Sequence, residues 1–150
     1  FSGGCQRASM EVEVMRWLFW QVGGLSPMAG QNHHFVGYAD NPIAYAIDRY
    51  VKETNRLYGV LNKRLAGRDF ILGKQYTIAD MACYPWINPE RQGQDFKDFP
   101  HLARWHAAIR ARPATKRAYD RVKEINPVPR TVISDEERKL LFSQDKSVVR

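Results

Sequence analysis

The first part of the chain has the pattern of a helix that is apolar on nearly every face. Val14, Leu18 and Val22 form one stripe at helical spacing, and further large apolar side chains fill the other faces, namely Met15, Trp17, Phe19 and Trp20. The pattern predicts a helix over about residues 8–24, ended by the pair Gly23-Gly24. A helix that is apolar all round must be covered all round, so this one predicts a neighbour outside its own domain.

A bend is predicted over residues 25–41, where glycine and proline are frequent and the polar cluster Gln31-Asn-His-His34 occurs. The longest amphipathic pattern follows it. Apolar residues recur there at spacings of three and four, which predicts a helix over residues 42–66. Gly67 stands directly after this pattern, where a C-terminal glycine typically ends a helix.

Thr77 and Asp80 have the spacing of a capping box, in which each side chain accepts a hydrogen bond from the other residue's backbone N–H. Tyr76 and Met81 flank that box at the positions of a hydrophobic staple. The sequence therefore predicts that a helix begins here. Pro85 lies within it and is expected to kink it.

Two more helices are predicted towards the end of the chain. Pro100 opens the first, whose buried face is expected to comprise Leu102, Trp105 and Ile109. The second covers residues 113–124, with Tyr119 and Val122 expected to point inward. No strand-like alternation of useful length occurs, so the predicted fold class is all-α, a helical bundle.

Composition agrees with a globular chain that does not enter a membrane. The 150 residues include 44% hydrophobic and 26% charged residues, and the longest apolar stretch is shorter than a membrane span. We expect one helical domain over residues 1–125. Residues 126–150, which begin with closely spaced prolines, are expected to form an irregular C-terminal extension that wraps the surface.

The net charge of +7 arises almost entirely in residues 61–130, which hold 14 basic and 7 acidic groups. Exposed aromatics are not interleaved with these basic residues, so the pattern disfavours nucleic-acid binding. It favours a solvated basic face or a field that attracts acidic small molecules. The two cysteines, Cys5 and Cys83, do not make a disulfide framework and are interpreted as reduced thiols of a cytoplasmic protein. A catalytic role of Cys83 is disfavoured, because nothing beside it in the sequence would lower its pKa.

The polar side chains offer no catalytic residue and no metal site. The cluster at residues 31–34 lacks a third and fourth ligand at metal-binding spacing, so it is interpreted as satisfying backbone groups in the bend. Arg49 has two interpretations, an ion pair with Glu53 one turn later or a guanidinium aimed at a carboxylate in a cleft. Arg16 interrupts the apolar first helix and must snorkel, pair or meet an acidic ligand.

Several of these segments resemble one family. The capping box Thr77-Ile-Ala-Asp80, together with Phe70-Ile-Leu-Gly73 before it, resembles the folding motif of the glutathione transferase C-terminal domain. Leu102-Ala-Arg-Trp105 and Arg112-Pro-Ala114 resemble the family's later helices. The resemblance covers residues 8–124.

The opening stretch carries a more specific resemblance. Trp17-Leu-Phe-Trp-Gln-Val-Gly-Gly24, running on to Gln31-Asn-His-His-Phe35, is similar to the Nu-class branch. That branch includes bacterial glutathione-dependent disulfide reductases and the prion-forming nitrogen regulator of fungi. The tail after residue 126 is similar to those of the longer Nu-class proteins.

The resemblance implies the second domain of a two-domain subunit, with a thioredoxin-like first domain absent from this chain. That first domain would bind most of the glutathione, the co-substrate, and activate its thiol. The helical domain would form the wall of the site for a hydrophobic electrophile or disulfide, and part of a homodimer interface. The whole enzyme is expected to reduce disulfides or peroxides and to conjugate weakly. The alternative is a non-catalytic helical protein-binding module or stand-alone fragment, so activity of the isolated chain stays open.

The resemblance also names residues. Arg49 matches an arginine that reaches a glutathione carboxylate. Arg16 stands where the branch often has a glutamine that serves the neighbouring subunit's glutathione, and arginine keeps the ability to bind a carboxylate. Trp17, Trp20 and Asn32 complete the residues expected to bind substrate.

Overall fold

The computed structural model describes residues 2–125 and 134–142, with side chains from residue 9 onward. Helices account for most of them, with no β-sheet among the described residues, so the predicted all-α class is confirmed. The α-helices are α1 Ser2–Trp20, α2 Ser26–His33, α3 Ala44–Leu65, α4 Ile78–Cys83, α5 Pro89–Gln92, α6 Pro100–Ala111, α7 Pro113–Ile125 and α8 Asp135–Phe142. None of the described helices combines the length and apolar character that crossing a membrane requires.

The first helical run is longer than the sequence predicts. A π-helical turn, Gln21–Leu25, joins α1 directly to α2, and a second, His34–Tyr38, follows α2. The expected helix end at Gly23-Gly24 and the expected bend are therefore wrong up to Tyr38. The N–H of Ser26 donates to the carbonyl of Gln21, a wider turn than that of an α-helix, directly before Pro27. Because Pro27 lies in the first turn of α2, its missing N–H does not interrupt the run.

Two glycines in this run face neighbouring segments of the protein. A Cβ on Gly24 would lie 3.7 Å from Leu57 Cδ2, and one on Gly30 would lie 3.8 Å from Trp86 Cζ3. Both are ordinary contact distances, so these glycines face the protein interior and not a solvent-exposed bend. Tertiary packing therefore outweighs the low helix propensity of glycine here.

Helix α3 forms the centre of the first structural unit, and its predicted range is confirmed to within two residues at each end. Gly67 follows it with a positive φ of 68°, which confirms the expected stop. Helix α2 packs against α3 and α5, α1 against α4, and α3 against α6. The buried face of α3 consists of Thr54, Leu57, Tyr58, Leu61 and Leu65.

The capping box is confirmed, and its carboxylate does more than cap. Asp80 is fully buried, and its Oδ2 accepts from the backbone N–H of Thr77 at 3.0 Å. Its Oδ1 accepts from the backbone N–H of Ile71 and from Trp105 Nε1, each at 2.9 Å. Asp80 thereby joins the start of α4 to the preceding loop and to α6.

The later helices begin where predicted. Helix α4 passes into a 3₁₀ turn, Tyr84–Trp86, at Pro85, as expected of a proline there. Pro100 opens α6, and the residues expected on its buried face, Leu102, Trp105 and Ile109, are all buried. Asn62 Oδ1 accepts from the first free N–H groups of α6, those of His101 at 2.9 Å and Leu102 at 3.0 Å.

The chain divides into two compact units between Arg112 and Pro113. The described part of the second unit contains α7 and α8, and neither helix has a buried residue. Tyr119 and Val122 are exposed, so their predicted inward orientation is wrong: periodicity creates an apolar stripe but does not by itself bury it. Within the extension expected to be irregular, residues 135–142 are helical. Residues 126–133 and 143–150 lie outside the described residues. The predicted boundary at residue 125 stays a prediction.

Candidate functional site

Trp17 and Trp20 form an aromatic pair on α1. Their ring centroids lie 5.0 Å apart with planes inclined by 66°, an edge-to-face arrangement. Trp17 is buried and Trp20 is half-buried. The guanidinium carbon of Arg64 on α3 lies 5.3 Å from the Trp17 ring centroid. The Trp17 indole N–H is buried and has no hydrogen-bond partner in the part of the chain that the structure describes.

Arg16, the polar residue beside this pair, is exposed and pairs with Glu13 at 2.7 Å. The other oxygen of Glu13 lies 3.2 Å from Arg64, which also donates to the carbonyl of Ile71 at 2.8 Å. The sequence left snorkelling, an ion pair or an acidic ligand open for Arg16, and the structure shows the ion pair. An exposed pair of this kind contributes at most about 1 kcal/mol, so Arg16 is readily diverted to another anion.

Arg49 lies in the first half of α3 and is 56% exposed. Its NH1 lies 4.0 Å from Glu53 Oε2, so the ion pair considered from the sequence is present but long. Arg56 binds the same carboxylate through two hydrogen bonds, of 2.9 Å and 2.7 Å. The hydrogen bond from Arg56 is the main cause of the lowered pKa of Glu53.

Asn32 lies on α2 and is fully buried. Its amide Nδ2 donates to Thr54 Oγ1 at 3.0 Å and to the carbonyls of Gln92 at 3.2 Å and Tyr50 at 3.3 Å, while its Oδ1 has no partner among the described residues. These contacts link α2, α3 and α5. The amide is thus occupied within the fold, and the predicted substrate contact of Asn32 stays a prediction.

The rest of the predicted polar cluster does not converge on one point. On a helix, successive residues point about 100° apart. Burial and the nearby charge of Arg91 lower the pKa of His33, whereas His34 packs edge-on against Phe35 at 5.0 Å. Among the described residues, no three candidate ligands gather into a metal-binding group.

The predicted site residues fall into two places on the molecule. Arg49 and Arg64 are 15 residues apart on α3, which is about 22 Å along a helix. Trp17 lies beside Arg64, whereas Asn32 contacts the turn next to Arg49. The structure therefore does not bring Arg49 and the Trp17–Arg16 region together in one chain.

Cys83 has no reactive environment. Burial, with a smaller contribution from the charge of Asp80, raises the pKa of its thiol to about 12. The thiol is therefore protonated at neutral pH, the form in which a cysteine is a poor nucleophile.

Some organising residues were missed in the sequence. Gln92 is fully buried, accepts a short hydrogen bond from the Tyr58 hydroxyl and donates to the carbonyl of Trp86 at 2.9 Å. Nothing local marks it, because its partners are brought to it by tertiary packing. The Glu53–Arg56 pair was readable from its spacing of three on a predicted helix.

The model of the family described as "Glutathione S-transferase, C-terminal domain" matches residues 29–113. The chain belongs to the glutathione S-transferase family. The disulfide-bond oxidoreductase YfcG of Escherichia coli is 55% identical over 106 residues, which cover 70% of this chain and 49% of that protein. The protein URE2 of Candida albicans is 30% identical over 140 residues, covering 71% and 41%. The resemblance to the Nu-class branch is thereby confirmed.

Solved structures agree with this glutathione S-transferase assignment. A Burkholderia graminis glutathione transferase with two glutathione molecules bound per subunit has a TM-score of 0.70 and 41% identity, covering 75% of this chain and 50% of that one. The URE2P8 transferase of Phanerochaete chrysosporium with oxidized glutathione has a TM-score of 0.70 and 30% identity, covering 79% and 55%. The chain thus spans about half the length of the relatives it matches.

Proposed function

We propose that this chain is the helical domain of a glutathione-dependent enzyme that reduces disulfides or peroxides and conjugates weakly. The observation that carries the proposal is the 55% identity to a disulfide-bond oxidoreductase. Relatives crystallised with glutathione and with oxidized glutathione support the choice of co-substrate. In disulfide reduction, two glutathione thiols give up two electrons and two protons to the substrate disulfide and become glutathione disulfide. A reducing, cytoplasmic location suits this chemistry and the free Cys83 thiol.

In this proposal Arg49 binds a carboxylate of glutathione. More than half of its side chain is exposed, and its 4.0 Å contact with Glu53 is too long to occupy its N–H donors. Activation of the glutathione thiol belongs to a thioredoxin-like domain in this proposal, as the family resemblance implies. The indole rings of Trp17 and Trp20 supply an apolar wall for the electrophile or disulfide.

Arg16 serves the neighbouring subunit in this proposal. Because its cluster lies about 22 Å from Arg49 along α3, the two arginines do not bind one small peptide within a single chain. A homodimer removes this difficulty, since each subunit's Arg16 then meets a glutathione held by the other. The first helical run offers a surface for such a dimer. Val12, Met15 and Phe19 on α1 and Val22 in the π-helical turn that follows are exposed and recur at heptad spacing.

The test is Arg49→Ala in the full-length enzyme of which this chain is proposed to be a part. We expect about a tenfold rise in the KM for glutathione with the fold intact, because one charge-assisted carboxylate contact is lost. Steady-state kinetics and circular dichroism measure the two effects. Unchanged kinetics would contradict the role of Arg49, and a folded full-length protein without glutathione-dependent activity would favour the non-catalytic helical module.

A further inference from the structure

Glu53 lies between two arginines on one face of α3. Arg56, three residues later, binds both of its carboxylate oxygens, and Arg49, four residues earlier, approaches Oε2 at 4.0 Å. The Glu53 side chain is only 17% exposed, although both arginines are largely exposed. The carboxylate is therefore the fixed member of the trio.

The two contacts of Glu53 differ in kind. The pair with Arg56 is bidentate and charge-assisted, the geometry in which a guanidinium fixes a carboxylate most firmly. The 4.0 Å contact with Arg49 is outside hydrogen-bonding range but within the range of strong Coulomb attraction. Glu53 therefore attracts the Arg49 guanidinium towards its carboxylate, while the N–H donors of Arg49 remain available to a ligand.

We propose that Glu53, held by Arg56, is a positioning residue that orients the Arg49 guanidinium for an incoming carboxylate. This inference rests on the proposed function, in which Arg49 binds a carboxylate of glutathione. Arginine has a long side chain with many rotamers, and binding a ligand through it costs conformational entropy. Holding the side chain in place beforehand reduces that cost and so tightens binding.

Positioning and simple electrostatics make opposite predictions for one variant. The trio carries a net charge of +1, and Glu53→Gln raises it to +2. If charge alone mattered, the extra positive charge would attract glutathione more strongly and lower its KM. If Glu53 positions Arg49, the same variant raises the KM, because Arg49 loses its orientation.

The experiment measures steady-state kinetics of the full-length enzyme with glutathione as the varied substrate. We expect Glu53→Gln to raise the KM about two- to fivefold with kcat unchanged, the range of an exposed ion pair. Arg56→Gln should also raise it, because a released Glu53 closes on Arg49 and occupies its donors. Asp48→Asn is the matched control: it removes a carboxylate of α3 that pairs with Lys52 at 2.8 Å, and should leave the KM unchanged.

A double-mutant cycle separates positioning from damage to the fold. In an Arg49→Ala background, Glu53→Gln should have no further effect on the KM, whereas damage to the fold would persist there. An unchanged or lowered KM for Glu53→Gln, or an equal effect in both backgrounds, would overturn the inference. If Arg49→Ala itself leaves the KM unchanged, the proposed role of Arg49 fails, and if the folded full-length protein has no glutathione-dependent activity, the proposed function fails. Both results differ from a failure of Glu53→Gln alone, so the failures are distinguished.

Discussion

Asp80 joins three segments through one buried carboxylate. Its oxygens accept the backbone N–H groups of Thr77 and Ile71 and the indole N–H of Trp105. The N–H groups of Ile71 and Trp105 would be buried without a partner if the carboxylate were removed, and that of Thr77 partly so. Each fully buried donor without a partner costs about 1–3 kcal/mol. Asp80 therefore stabilises the fold through three N–H donors, and the capping box accounts for only one of them, that of Thr77.

We expect Asp80→Ala to lower the free energy of unfolding by about 3–5 kcal/mol, measured by urea denaturation. The matched control is Asp69→Ala. Asp69 is exposed and lies 4.0 Å from Arg104, so its loss should cost less than about 1 kcal/mol. Similar losses for the two variants would mean that the three hydrogen bonds to Asp80 do not stabilise the fold.

The sequence predicted the local part of this arrangement only. Thr77 and Asp80 are three residues apart, and this spacing is the sequence pattern of a capping box. Trp105 lies 25 residues from Asp80, and no local pattern indicates which indole will reach a given carboxylate. The hydrogen bond between Asn32 and Gln92, which lie 60 residues apart, was not predicted for the same reason.

At the scale of the element, α1 carries the main exposed apolar surface of the first unit. Phe19 is 69% exposed at the centre of the heptad-spaced stripe. If this stripe lies at a two-fold dimer interface, a charged residue at position 19 places two charges in that interface, one from each subunit. Two buried and unpaired like charges strongly oppose association.

We expect Phe19→Glu to raise the dissociation constant of the proposed full-length dimer at least tenfold without unfolding the subunit. Analytical ultracentrifugation measures this constant. Tyr45→Glu is the matched control, because Tyr45 is an aromatic residue of α3 that is 80% exposed. It should leave the association state unaltered. A Phe19→Glu protein that sediments as the parental dimer would place the interface elsewhere.

At the scale of the whole molecule, two partly buried histidines among the described residues contribute to the response to acid. Burial, with help from a nearby arginine in each case, lowers the pKa of His33 and of His106. The ring of His106 stacks on Tyr84 at a centroid distance of 4.8 Å. Below pH 6.5, the ordinary value, the unfolded chain binds protons that the folded chain resists, so stability falls as the pH falls.

We therefore expect the free energy of unfolding to decrease steadily between pH 7 and pH 5. His106→Phe keeps a ring against Tyr84 but removes the titrating group, so its unfolding free energy should depend less on pH over that interval, whatever its absolute stability. Denaturant titrations at several pH values give both slopes. A slope in His106→Phe equal to that of the parent would exclude His106 as a source of the acid sensitivity. The lowered pKa of Glu53 acts only at more acidic values, below 4.5.

The two π-helical turns keep the faces of the first helical run in phase. Trp17, Leu25 and Ala29 are buried at multiples of four residues, a spacing that drifts about 40° per step around an ordinary α-helix. The wider turn at Gln21–Leu25 absorbs part of that drift, so that Asn32 still arrives inside. A one-residue deletion early in α2 would leave the composition almost unchanged and yet rotate the rest of that helix by about 100°, which would carry Asn32 out of its buried position. The segment is therefore more tolerant of substitution than of any change in its length.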